Sequence, residues 1–125
     1  MPKLLAPRTV TREYEIADGD VLTVSVRQAT GAEELKRDQI LNTPIERSLD
    51  DSNTVKVHIP TPLERTAIMA WLVLEDTNIQ NHDGKPLFVK GMSLSDFKNA
   101  WAAIPGVWRD LIMETVLEAN PDWMF

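Results

Sequence analysis

Period-two alternation of apolar and polar residues dominates the start of the chain. Val10, Arg12, Tyr14 and Ile16 alternate with polar neighbours, and Leu22, Val24 and Val26 alternate with Thr23, Ser25 and Arg27. Asp18-Gly19-Asp20 lies between the two runs, and its glycine can take a positive φ at little cost. The pattern predicts an antiparallel hairpin over Thr9 to Arg27 with one packed and one solvated face. Thr30-Gly31-Ala32-Glu33 has the form of a capping box and predicts a helix through about Asn42. Only Ala32, Leu35, Ile40 and Leu41 offer that helix apolar contact, so it belongs on the surface. Thr43 to Thr54 reads as loop. Val55, Val57 and Ile59 alternate with Lys56 and His58, which predicts a short third strand ending at Pro60.

Beyond Pro60 the period lengthens to that of a helix. Thr61-Pro62-Leu63-Glu64 combines a Thr cap, Pro at the first helical position and Glu at the third. Every residue from Ala67 to Leu74 is apolar, so this segment is predicted to be the central core helix, with Trp71 inside, or alternatively a buried strand. Glu75 to Gly91 is polar and turn-rich around Asp83-Gly84, and Leu87-Phe88-Val89 forms a strand or an apolar anchor. Ser93 caps a helix carrying Leu94, Phe97, Trp101 and Ile104 on one face. Pro105-Gly106 breaks it. A last helix places Val107, Trp108, Leu111, Ile112, Val116 and Leu117 together, opposite Arg109, Asp110, Glu114 and Glu118. The fold class is therefore α+β within a single 1–125 domain. Residues 1–60 supply the hairpin, polar helix and short strand, and 61–125 a mainly helical part; three to four helices are expected.

Charge and composition narrow the functional classes. The chain carries 13 Lys/Arg against 19 Asp/Glu, and residues 91–125 hold two of the basic residues against five of the acidic ones. Such a balance repels polyphosphate, so nucleic acid is not an expected partner. No apolar run reaches the ~18–20 residues that span a bilayer. The segment Met1 to Pro7 is too short and too interrupted by proline for a signal peptide, so a cytoplasmic location without membrane contact is expected. Without cysteine there is no thiol nucleophile, disulfide or thiolate metal site.

Other chemistry fares little better. Asp76 to Leu87 has the length of a calcium loop, yet Asn81 stands where the turn glycine belongs and Leu87 where the bidentate glutamate belongs. His58 and His82 lack the spacing of a helical metal pair. Asp18 with Asp20, and Asp50 with Asp51, read as turn and loop residues, and Asp83 beside His82 as turn chemistry. We expect no enzyme activity, cofactor or metal. The C-terminal aromatics point to binding instead: Trp101, Trp108, Met113, Trp123, Met124 and Phe125 are the candidate partner-contacting residues, while the helical spacing of Phe97, Trp101, Trp108 and Leu111 also suits core, as an αα-hairpin packing its apolar faces on the Ala67–Leu74 helix. Aromatic and methionine side chains make good interface anchors. Whether Trp123, Met124 and Phe125 dock on the protein's own core or on a partner stays open at this point, as does self-association.

The layout resembles that of the small tail assembly chaperones of tailed bacteriophages. The shared features are the strand pair Tyr14-Glu15-Ile16 and Val21 to Arg27, the polar helix from Thr30, and the aromatic helices Phe97-Lys98-Asn99-Ala100-Trp101 and Val107-Trp108-Arg109-Asp110-Leu111. A terminal Asn120-Pro121-Asp122-Trp123 completes the likeness. The resemblance implies a non-catalytic protein of the infected bacterial cytoplasm, not retained in the virion. It would bind and solubilise the tape-measure protein and help recruit tail-tube protein. Many members are also made in a longer, frameshifted form. A groove between the last two helices, lined by Trp101, Trp108 and Met113 and rimmed by Asp96, Asp110, Glu114, Glu118 and Asp122, would hold the client. Two other readings stay open: a minor tail or neck subunit retained in the virion, and an acidic mimic of nucleic acid.

Overall fold

The computed structural model describes residues 8–17, 19–41, 46–47, 55–56 and 61–123. In chain order the elements are β1 (Thr9–Ala17), β2 (Asp20–Arg27), α1 (Gly31–Leu41), β3 (Glu46–Arg47), β4 (Val55–Lys56), α2 (Pro62–Val73), β5 (Leu74–Thr77), α3 (Leu94–Ala103) and α4 (Gly106–Ala119). The fold is α+β. Its sheet has the order β1-β2-β5, antiparallel throughout, and α4 packs on β1 and β2.

The hairpin forms as its alternation dictates. Val10 pairs with Val26, Arg12 with Val24 and Tyr14 with Leu22, while Gly19 takes φ 85° in the turn. Leu22, Val24 and Val26 lose essentially all contact with solvent, whereas Thr11, Glu13 and Glu15 lie on the open side. Arg12 falls on the packed side but stays exposed, its guanidinium reaching the edge of α4 to pair with Glu118. Tyr14 is anchored there too, its hydroxyl 2.8 Å from that of Thr115.

The third strand of this sheet is not the one the alternation indicates. Val55–Lys56 does form a strand, but it pairs with Glu46–Arg47 in a separate two-stranded ladder. The remainder of the expected loop and strand (residues 42–45, 48–54 and 57–60, with Asp50, Asp51 and His58) lies outside the described residues, as do Asp18, Met124 and Phe125. The sheet is completed by β5, whose Leu-Glu-Asp-Thr sequence has weak strand propensity. Leu74 leaves the helical conformation at φ −68°, ψ 121°, so α2 passes into β5 without a loop. Pairing with the free edge of β2 makes the segment a strand. Asn78 then extends the ladder with its side chain, accepting from the Thr23 amide (2.9 Å) and donating to the Val21 carbonyl (2.6 Å).

Each helix start follows its cap. Thr30 accepts from the Glu33 amide while Glu33 accepts from the Thr30 amide, completing the capping box. Thr61 and Ser93 cap α2 and α3 through the amides of Glu64 and Asp96. Arg109 closes the other end of α3 by donating to the carbonyls of Trp101 and Ile104. As expected of a surface helix, α1 has no buried residue. The core lies among α2, α3, α4 and the packed face of the sheet.

Two expectations within the helical part need correction. Val107 is 67% exposed, because α4 turns Ile112, Met113, Thr115, Val116 and Ala119 inward. Trp71 is only half-buried, whereas its neighbours Ala70, Leu72 and Val73 are buried. At the last turn of α2 the buried arc no longer takes in the whole circumference, so one aromatic edge meets solvent.

Candidate functional site

The aromatic residues singled out in the sequence do not form one surface. Trp101 is fully buried, stacked on Phe97 at 5.9 Å and set edge-on to Phe88 at 6.3 Å. Its indole N–H donates to the Thr66 hydroxyl at 3.0 Å. Met113 is buried in the core. Trp123 is 2% exposed: Asn120-Pro121-Asp122 turns the chain back so that its ring enters the core, with the Arg37 guanidinium 4.8 Å from the ring centroid. Asn120 sets this turn. Its side chain accepts from the Ala29 amide (2.7 Å) and donates to the carbonyls of Arg27 and Val116 (both 3.2 Å). Trp108, half-buried, lines a hollow of about 300 Å³ with Ile16, Leu22, Asn78 and Ile79.

The groove expected between the last two helices is therefore not formed by Trp101, Trp108 and Met113. α3 packs on α2, and α4 packs mainly on β1 and β2 and also on α2, so their apolar faces are turned to these elements instead of to a shared channel. The acids expected at its rim line neither cleft, and Glu118 is engaged by Arg12.

A larger concavity opens elsewhere, between α1, the end of α2, β5 and the segment 87–92. It measures about 360 Å³, and Trp71, Leu72, Phe88, Val89 and Met92 supply its apolar lining. The Trp71 indole N–H donates to the Met92 carbonyl at 2.9 Å, tying the 87–92 segment to α2. Phe88, the anchor anticipated in the sequence, packs against Phe97 and Trp101 below the cleft. Val89 stays 56% exposed at the mouth.

A charge cluster borders this cleft. Arg27 donates to both carboxylate oxygens of Glu33 and, from Nε, to Glu75 at 2.6 Å; it also donates to the Leu72 carbonyl. Lys90 holds the other Glu75 oxygen at 2.9 Å. Lys36 lies over the Trp71 ring at 4.5 Å, a cation–π contact. The hydrogen bonds from Arg27 hold the Glu33 carboxyl down to about 2, and those from Lys90 and Arg27 lower that of Glu75. Arg27 is raised in turn, chiefly by Glu33, against the opposing effect of its partial burial.

These shifts carry a pH signature. A depressed carboxyl contributes stability that is present above its unfolded value and lost as pH falls through the folded one. The cluster should therefore stabilise the fold fully above about pH 5 and release on the order of 2 kcal/mol as pH falls toward 2. Glu33→Gln should flatten this part of the curve, as acid unfolding monitored by circular dichroism would reveal; an unchanged curve would remove the cluster from the stability balance.

The remaining candidates are ordinary loop residues. Asn81 accepts from the amides of Asp83 and Lys85 and organises the turn at Gly84 (φ 74°), while His82 and Asp76 are exposed. Among the described residues no cluster of His, Cys, Asp and Glu is arranged to hold a metal, and no helix is long and apolar enough to cross a membrane. The cleft was not legible in the sequence because its lining comes from β2, α1, α2, β5, the 88–92 segment and α3, which lie far apart in the chain. The one local signal was Trp71 near the end of the wholly apolar run from Ala67 to Leu74. No family model, curated protein or solved structure matches the chain.

Proposed function

We propose that the protein is a non-catalytic tail assembly chaperone of a tailed bacteriophage, holding apolar segments of the tape-measure protein before the tail is built. The observation that carries this reading is the open cleft of about 360 Å³ with Trp71, Phe88, Val89 and Met92 in its lining. Its size and apolar lining suit a few side chains of an amphipathic helix laid across the surface. Met and Trp adapt to varied partners, which suits a client exposing long apolar helical stripes. The client is inferred from the resemblance of this layout to that of phage tail assembly chaperones. On this reading the client lies at the cleft between α1, α2, β5 and the 88–92 segment, with Phe97 of α3 in its lining, and not between the last two helices.

Co-expression with the tape-measure protein of the same genome tests the reading. A soluble complex should form, and the client should aggregate when expressed alone. Val89→Asp alters an exposed residue at the cleft mouth, so it should weaken capture about tenfold or more while leaving the melting temperature nearly unchanged. Client aggregation regardless of this protein would end the proposal. The alternative reading, a minor tail or neck subunit, draws on the nine-residue edge strand β1. Mass spectrometry of purified virions separates the two: a retained subunit is present in multiple copies, a chaperone is absent.

A further inference from the structure

The outer edge of the sheet carries a recognition pattern independent of the cleft. Among the described residues β1 pairs with β2 on one side only. The Gln28 amide donates to the Arg8 carbonyl at 2.7 Å, which marks residues 8 and 28 as a hydrogen-bonded pair. Antiparallel pairs alternate, so Val10, Arg12 and Tyr14 direct their amides and carbonyls to β2. Thr9, Thr11, Glu13 and Glu15 direct theirs to the outer edge, and all four residues are exposed; the Thr11 carbonyl alone is already engaged, accepting from the Arg12 guanidinium at 3.0 Å.

The side chains at that edge are acidic and uncompensated. Glu13 stands opposite Thr23 and Glu15 opposite Val21, so neither has a cation across the strand. Among the described residues neither takes part in an ion pair. Asp76, opposite Ser25, adds a third carboxylate to the same face. Arg27, on this face as well, is already enclosed by Glu33 and Glu75. Among the described residues the result is a backbone ladder about 20 Å long, flanked on one face by acids without an ion-pair partner.

We infer that the β1 edge takes up an extended segment of a partner protein as a fourth strand, and that this segment carries Lys or Arg at alternate positions. Backbone ladder bonds would provide the docking, and basic residues two apart would lie beside Glu13 and Glu15 on the open face. A second copy of this chain fits poorly. Full antiparallel overlap of two β1 strands places Glu13 against Glu13, and like charges directly opposite are destabilising. The inference does not depend on the tape-measure reading, because its probe is a synthetic peptide.

The test is titration of the full-length ¹⁵N-labelled protein with an alternating Lys/Thr peptide and with its Glu/Thr counterpart. The lysine peptide should saturably shift the amides of Thr9, Thr11, Glu13 and Glu15 and slow their hydrogen exchange. Its affinity should fall roughly tenfold from low to physiological salt. The glutamate peptide should leave these amides unmoved. Thr11→Pro removes an outward-facing donor at a position where an edge strand tolerates proline, and should abolish the shifts. Should that variant fail to fold, Glu13→Lys with Glu15→Lys carries the test, since these exposed positions should invert the peptide preference. Indifference of the β1 amides to both peptides would mean that the acids only guard the edge, and would overturn the inference. So would equal response to both peptides, or protection of the same amides by dimerisation of the protein alone.

Discussion

Trp123→Ala should destabilise the fold by about 3–5 kcal/mol, the cost of truncating a large buried aromatic. Against a total stability of roughly 5–15 kcal/mol, that loss leaves a substantial unfolded population on mild heating. The expectation follows from the 2% exposure of Trp123 and from its place after the Asn120 turn, which bonds the end of β2 to the end of α4. Its indole N–H is buried without an acceptor. Trp123→Phe should therefore be far milder than alanine, because it removes an unsatisfied donor while keeping most of the packed ring. Thermal or urea unfolding of the two variants gives the comparison. An alanine variant as stable as the parent would show that the terminal aromatic contributes no core packing, and would return it to the list of partner anchors.

Trp101→Ala should be at least as damaging, again by about 3–5 kcal/mol. Trp101 is the centre of the Phe88–Phe97–Trp101 cluster, which joins α3 to the segment beneath the cleft. Here phenylalanine should not rescue as well as at Trp123. The Trp101 N–H has a partner in Thr66, so Trp101→Phe forfeits a hydrogen bond worth about 1 kcal/mol in addition to volume. The expected order of stability is parent, Trp123→Phe, Trp101→Phe, and then the two alanine variants. A reversal of the two phenylalanine variants would contradict the hydrogen-bond assignment. Because Phe88 touches this cluster, Trp101→Ala should also loosen the 87–92 segment, visible as faster hydrogen exchange at Phe88 and Val89.

How far the chain could be read in advance varied with the range of the interactions involved. The Thr9–Arg27 hairpin, the Thr30 capping box and the starts at Thr61 and Ser93 depend on residues within a few positions of one another, and each formed where its pattern lies. Leu74–Thr77 was illegible because its strand character comes from the free edge of β2, some fifty residues away, and not from its own side chains. The same distance hid the cleft. Arg27, Glu33, Glu75 and Lys90 are unremarkable charges in the sequence and become a linked cluster only when β2, α1, β5 and the following loop converge.

The tryptophans illustrate the remaining gap most directly. Helical spacing established that Trp101 and Trp108 lie on apolar faces, but not which neighbour each face would meet. Trp101 became core, Trp108 a half-buried wall, and Trp71, placed in the core by its apolar run, came to line the open cleft. By itself the sequence determined the α+β class, the hairpin register and the helix starts, since alternation, turns and caps act locally along the backbone. Only the tertiary structure decided which apolar surface is covered and which is left open. That choice depends on how elements distant in the chain share a limited area of contact, with hydrophobic burial rewarding whichever arrangement covers most.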